Sequence, residues 1–188
     1  GELVGKSGGL TPLLFAVRNG HADVVRLLLE HGAHVDALAP DGTSALVLAV
    51  INAHYEVAAL LLDRGADPNA ADQGWTALHQ IAWTRRPNTS SDLGGPVPTG
   101  TLDALELVRR LVTRGADVNA RETKEPQDGY RNVLNRVGAT PFLLAAKAVD
   151  LPLMRALLDN GADPTRATDE GVTPLMAAAG VGIWAPGE

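Results

Sequence analysis

The chain has 188 residues, of which 45% are apolar, and it carries a formal net charge of −6. This length is enough for a sizeable core in one domain or two. Because the chain contains no cysteine, a disulfide scaffold, a thiolate metal site and a cysteine nucleophile are excluded. The sequence shows no dense basic surface for nucleic acid, and its longest apolar run, residues 45–51, is far short of the roughly 18 residues that a membrane span needs. We therefore expect neither a nucleic acid partner nor a membrane span.

The first predicted elements are two short helices joined by a tight turn. Thr11 has the side chain of an N-cap, and Pro12 follows at the first helical position, where its missing N–H is not needed. This helix is predicted to run to about residue 19, and Gly20 makes the turn. The second helix starts near Ala22 and stops at Gly32, which acts as a left-handed cap.

The same pattern then recurs along the chain, with 33 residues between Gly32 and Gly65. Thr140 and Thr173 repeat the N-cap with proline, and Asp67, Asp117 and Asp163 follow helix-ending glycines, where we expect them to serve turns. The copies are predicted at residues 9–41, 42–73, 74–120, 138–170 and, as a partial copy, 171–188, all within a single array covering 1–188.

Two stretches depart from the period. The third copy carries a first insertion, 85–102, between its two helices, and a second insertion, 121–137, precedes the fourth copy. Both lie at loop positions, where extra chain costs little closure entropy. One interpretation is tolerated drift. The other is that the insertions fold over the array and complete a binding surface.

The motifs Thr-Pro-Leu, Gly-His-x-Asp-Val-Val and Leu-Leu-x-x-Gly-Ala-Asp-Val-Asn-Ala, with their 33-residue step, resemble ankyrin repeats, and in particular bacterial ankyrin arrays with inserted loops. The resemblance implies an all-α solenoid of helix-turn-helix repeats with projecting hairpin fingers. It implies that the chain is not an enzyme and recognises a protein partner through a concave helix face and the fingers. The small side chains that let successive helices approach are Ala16, Ala49, Ala82, Ala145 and Ala178.

The sequence offers few candidates for catalytic or metal-binding residues. His21 and His54 occupy the Gly-His turn of the repeat. His79 occupies the position that, in the family, usually hydrogen-bonds the backbone of a neighbouring finger. No cluster has metal-ligand spacing, and no nucleophile has a base fixed beside it. We expect no catalytic residues, no metal and no cofactor.

The resemblance places the partner-binding positions on the first helices and the fingers, centred on the second to fourth copies. The predicted contact residues are Phe15, Arg18, Asn19, Leu48, Ile51, Asn52, Gln73, Trp75, Gln80, Trp83, Arg85 and Arg86. Trp75 is the best single anchor, because it follows a glycine in a finger and is hard to assign to a core. Phe15, Leu48 and Leu144 occupy a position that is commonly apolar in the family, so a mainly structural role for them competes with a binding role.

Two other functions stay open. Neither end of the chain shows a polar capping repeat, so the array could stack head-to-tail as a self-assembling structure, or it could be a fragment of a larger scaffold protein. A weaker alternative places a small ligand or metal beneath the first insertion. The sequence names neither the partner nor the compartment.

Overall fold

The computed structural model describes residues 9–85, 96–125 and 134–181. Within these ranges the regular structure is helical, and an isolated bridge between Leu38 and Ser44 is the only extended pairing. The helices are α1 (Pro12–Arg18), α2 (Ala22–Glu30), α3 (Ala45–Ile51), α4 (Tyr55–Asp63), α5 (Ala77–Arg85), α6 (Ala104–Thr113), α7 (Pro141–Lys147), α8 (Leu151–Asp159) and α9 (Pro174–Ala178). The predicted all-α repeat is confirmed.

The helix boundaries follow from local chemistry. The hydroxyl of Thr11 accepts a hydrogen bond from the Leu14 N–H at 3.3 Å, and Thr140 and Thr173 cap α7 and α9 in the same way. Each second helix ends within two residues of a glycine in the left-handed region, as Gly32 shows with φ of +88°. The predicted caps are therefore confirmed.

The helices form two layers. The first helices α1, α3, α5, α7 and α9 pack on one another in series, and the second helices α2, α4, α6 and α8 form the other layer. The alanines predicted to allow close approach are buried in the first four copies, with Ala16 at 5% exposed and Ala82 at 1%. Ala178 in α9 is exposed.

A ladder of side chains joins the turns that follow the second helices. Asp36, Asn69 and Asn119 each accept a hydrogen bond from the backbone N–H of the aspartate in the next copy, at 2.8–2.9 Å. Those aspartates, Asp67, Asp117 and Asp163, accept in turn from the backbone N–H two residues later. The prediction that these carboxylates serve turns is confirmed.

Candidate functional site

The candidate site is the solvent-facing side of the first helices, which we call the first-helix face. Phe15 in α1 is 40% exposed, and the guanidinium carbon of Arg18 lies 5.0 Å from the centre of its ring. The residues at the same position in the next three copies, Leu48, Gln80 and Leu144, are only 7–9% exposed. For Leu48 and Leu144 this burial supports the structural interpretation, whereas Phe15 presents its ring to solvent.

The predicted polar contacts of the first two copies close the ends of their own helices. The Asn19 side-chain nitrogen donates to the Phe15 carbonyl at 2.7 Å, and Asn52 donates to the Leu48 carbonyl at 2.8 Å. Asn19 is exposed, while Asn52 and Ile51 are half-buried. Each carbonyl also accepts from the backbone N–H of the same asparagine, so the side chains add a second hydrogen bond at the ends of α1 and α3.

The third copy carries a connected row of polar side chains. Trp75 Nε1 donates to Gln80 Oε1 at 3.1 Å, Gln80 Nε2 donates to the Thr84 hydroxyl at 3.3 Å, and that hydroxyl donates to the Val50 carbonyl of α3 at 3.1 Å. Trp75 is half-buried and packs against the hydrophobic core. The expectation that Trp75 is hard to assign to a core is therefore wrong, because its ring and its N–H both have partners within the array.

Gln73 lies in the same finger, two residues before Trp75. Its side chain is 6% exposed, and its Nε2 donates to the Trp75 carbonyl. Its Oε1 is a buried side-chain oxygen for which the described residues supply no hydrogen-bond donor. Gln73 therefore stabilises the turn of its finger through this bond to the Trp75 carbonyl.

Trp83 is covered by the second insertion. The guanidinium carbon of Arg136 lies 5.5 Å from the centre of the Trp83 ring, and Arg136 also pairs with Glu122 through two hydrogen bonds. The Glu122 and Arg136 residues are 1% and 5% exposed. The two described limbs of this finger are joined by the Glu122 N–H to the Ala139 carbonyl at 2.9 Å. The chain itself therefore occupies part of the first-helix face at the third copy.

Arg85 ends α5 in an ion pair with the fourth copy. Its Nε and Nη2 donate to the two carboxylate oxygens of Asp150 at 2.6 and 3.1 Å. The Asp150 side chain is fully buried and also caps α8 by accepting from the Leu153 N–H. Hydrogen bonding to this carboxylate raises the pKa of Arg85 above its ordinary value. Arg85 thus has a structural role, and Arg86 lies outside the described residues.

The return limb of the first insertion rests on the second copy. The Glu56 carboxylate accepts from the backbone N–H groups of Thr101 and Leu102, the second at 2.8 Å. The Thr99 hydroxyl lies 2.8 Å from His54 Nδ1, while His54 Nε2 donates to the Arg18 carbonyl at 3.1 Å. His54 therefore links the first copy to the insertion, in addition to its place in the repeat turn.

His79 is fully buried and holds two fingers. Its Nδ1 accepts from the Thr76 N–H at 3.2 Å, so Nε2 carries the hydrogen and donates to the carbonyls of Ala120 and Ala139 at 3.1 and 3.2 Å. Burial is the main cause that lowers the pKa of His79 from 6.5 to about 4. The imidazole is thus neutral and structural, as its position in the repeat predicted.

Within the described residues, no three side chains of His, Asp or Glu come together as metal ligands. In that part of the chain no helix is both long enough and apolar enough to cross a membrane.

The comparisons with known proteins agree with this architecture. A family profile described as "Ankyrin repeats (3 copies)" matches residues 2–72. This match and the repeated helix pairs together support an ankyrin-repeat fold. It is 32% identical over 178 residues to the nuclear factor NF-kappa-B p105 subunit of Gallus gallus, covering 92% of this chain and 15% of that protein.

A second relative is the ankyrin repeat and KH domain-containing protein mask-1 of Caenorhabditis elegans, which is 30% identical over 183 residues. That match covers 94% of this chain and 6% of the relative, so the chain spans a small part of both proteins. Both relatives are animal proteins and do not test the expected likeness to bacterial arrays. Ankyrin repeats are generally protein–protein interaction modules and generally non-catalytic.

Sequence reasoning missed the residues that hold the insertions in place. Asp150 had one available signal, since it replaces the histidine found at the same repeat position in the first two copies. Glu122 and Arg136 pair with each other within an insertion that follows no period, and Glu56 binds the insertion of another copy, so the repeat gives no signal for these three residues.

Proposed function

We propose that this ankyrin array is a non-catalytic module that recognises a protein partner through the first-helix face and fingers of its first two copies. The observation that carries the proposal is the exposure of Phe15, at a position that the next three copies bury. Exposed aromatic side chains on a rigid surface are common anchors of protein interfaces.

The location differs from the expected centre at the second to fourth copies. Arg136, paired with Glu122, lies over the ring of Trp83 in the third copy, and Arg85 is bound by Asp150 of the fourth. The finger of the first copy keeps Leu38 43% exposed, and Val97, two residues before the Thr99 that contacts His54 of the second copy, is 79% exposed. These features favour a partner that spans the first two copies.

Site-specific cross-linking tests this location, since the chain contains no cysteine of its own. A photoactivatable cross-linker attached to the thiol of Asn19→Cys lies on the first-helix face, and the same cross-linker on Thr113→Cys lies on the second-helix layer. The two sites are matched, because both residues are exposed and both side chains donate to a carbonyl four residues earlier.

The expected result is a partner captured from position 19 and not from position 113, and released by an excess of unlabelled wild-type chain. Unlabelled Phe15→Ala chain should compete poorly. Equal capture from both positions would contradict the proposed face.

End-to-end assembly is the second candidate, and it is supported by exposure at the two ends of the described stack. Leu175 is 79% exposed, whereas its counterparts Leu13, Leu46 and Leu78 are 1–2% exposed. Val24 is 45% exposed and its counterpart Val57 is 2% exposed. Light scattering measured against protein concentration separates the two candidates. A mass that grows with concentration in the wild type and stays monomeric in Leu175→Glu supports stacking. A constant monomer mass in the wild type contradicts it.

A further inference from the structure

Arg18 differs from most arginines in the described part of the chain, because no described acidic side chain pairs with it. Within the described ranges, every arginine except Arg18 and Arg155 pairs with a carboxylate. The pairs are Arg26–Asp23, Arg64–Glu30, Arg85–Asp150, Arg109–Glu106, Arg110–Glu106, Arg114–Asp63, Arg121–Asp169, Arg136–Glu122 and Arg166–Asp163. Arg18 makes one described side-chain contact, with the ring of Phe15.

The third copy shows what a completed arrangement looks like. There the guanidinium of Arg136 lies over the Trp83 ring while the Glu122 carboxylate binds it through two hydrogen bonds. Trp83 and Arg18 are each the seventh residue after the N-cap position of their copy, so they share a place on the first-helix face. The first copy places a guanidinium at that position and an aromatic ring, Phe15, three residues earlier, and the described residues bring no carboxylate to this guanidinium.

The surroundings of Arg18 favour an acidic group from outside. Arg18 is the one charged residue of α1, and α3 contains none. The net charge of −6 comes from side chains elsewhere, and salt screens charges over about 8–10 Å at physiological ionic strength. Among the described residues, a carboxylate that approaches Arg18 therefore meets mainly the guanidinium beside the exposed ring of Phe15, and Ile51 holds the same repeat position in α3.

We propose that Arg18 and Phe15 form a docking point for an acidic peptide segment of a partner protein. A Glu or Asp carboxylate of the segment accepts two hydrogen bonds from the guanidinium, as Glu122 does from Arg136, and an adjacent apolar side chain packs on Phe15. This inference rests on the proposed function, because it names the chemistry of the partner at that same face.

Peptide selection provides the test. Random linear peptides displayed on phage are selected on the purified wild-type chain without counter-selection. The strongest binder is then synthesised with its acidic residue and with the corresponding amide. Its affinity is measured for wild type, Arg18→Gln, Phe15→Ala and the control Arg155→Gln, which removes from α8 the other arginine that has no carboxylate partner among the described residues. Circular dichroism and urea unfolding verify that the variants fold, as expected for side chains that make no described hydrogen bond.

The proposal expects Asp or Glu next to an apolar residue in the selected peptides. Arg18→Gln should weaken binding about tenfold or more, the loss typical of charge-assisted hydrogen bonds, and the acid-to-amide change should then cost nothing further. Arg155→Gln should leave the affinity nearly unchanged. Peptides without acidic residues, or an equal effect of both arginine variants, would overturn the proposal.

The outcomes also separate the two levels of inference. Peptides whose affinity falls in Phe15→Ala and is unchanged in Arg18→Gln refute the acidic docking point but still support the proposed binding face. Peptides indifferent to both residues, or a selection that yields no binder, refute both.

Discussion

The guanidinium of Arg136 lies over the ring of Trp83, so a side chain of the lengthened finger reaches back along α5 of the preceding copy. Arg136 and its partner Glu122 are almost completely buried, which makes this contact a structural element of the array.

Breaking this pair should be costly. Arg136→Met leaves the Glu122 carboxylate buried without the guanidinium that neutralises it, and we expect the free energy of unfolding to fall by about 3–5 kcal/mol. The double variant Glu122→Gln/Arg136→Met should lose clearly less, because no buried charge is left behind. Urea unfolding measures both, and equal losses in the single and double variants would contradict a buried ion pair.

The stability of the protein should fall as the pH is lowered through the titration of His79. At pH values above 6.5 the imidazole is neutral in both the folded and the unfolded chain. Between 6.5 and about 4 the unfolded chain binds a proton that the folded chain does not, so the folded state loses roughly 3 kcal/mol over this window.

His79→Gln provides the control for this pH dependence. It removes the titrating group and should flatten the difference between unfolding free energies measured at pH 4 and pH 7. Parallel pH profiles for the wild type and this variant would show that another group is responsible.

Asp150 combines an ion pair with a helix cap, and two substitutions separate these roles. Asp150→Asn keeps an acceptor for the Leu153 N–H and removes the charge that Arg85 binds, so its cost should be about 1.5–3 kcal/mol. Asp150→Ala removes the acceptor as well and should cost about 1 kcal/mol more.

Asp103 is the control for Asp150, since it caps α6 by accepting from the Glu106 N–H and, among the described residues, forms no ion pair, its charge acting only weakly on Arg85. Asp103→Asn should therefore be nearly neutral in urea unfolding, whereas Asp103→Ala should cost about as much as one cap. A similar cost for both asparagine variants would contradict the ion-pair role of Asp150.

Trp75→Ala should destabilise the array, contrary to what its place after a glycine suggests. The ring packs on the core and its N–H donates to Gln80, so we expect a loss of about 1–3 kcal/mol, less than for a fully buried tryptophan. Trp75→Phe keeps most of the packing and should lose about 1 kcal/mol for the hydrogen bond. Thermal unfolding of both variants checks this prediction. An unchanged melting temperature for Trp75→Ala would contradict a structural role for Trp75.

The sequence by itself determined the repeat, the helix boundaries and the fold class. The Thr11 cap, the proline after it and the left-handed Gly32 depend on interactions within about four residues, so their spacing identifies them directly. The role of His79 was also predictable, because the ankyrin resemblance assigns that position a hydrogen bond to the backbone of a neighbouring finger.

The tertiary structure alone decided how the two insertions and the candidate site are arranged. Arg85 meets Asp150, Arg136 meets Trp83, and Glu56 binds the limb at Leu102, and each contact joins residues from different copies. These pairings depend on how far one copy is displaced from the next and on the path of loops that follow no period. Only the stacked array shows that Arg136 has a carboxylate partner and that Arg18 has none among the residues that the structure describes.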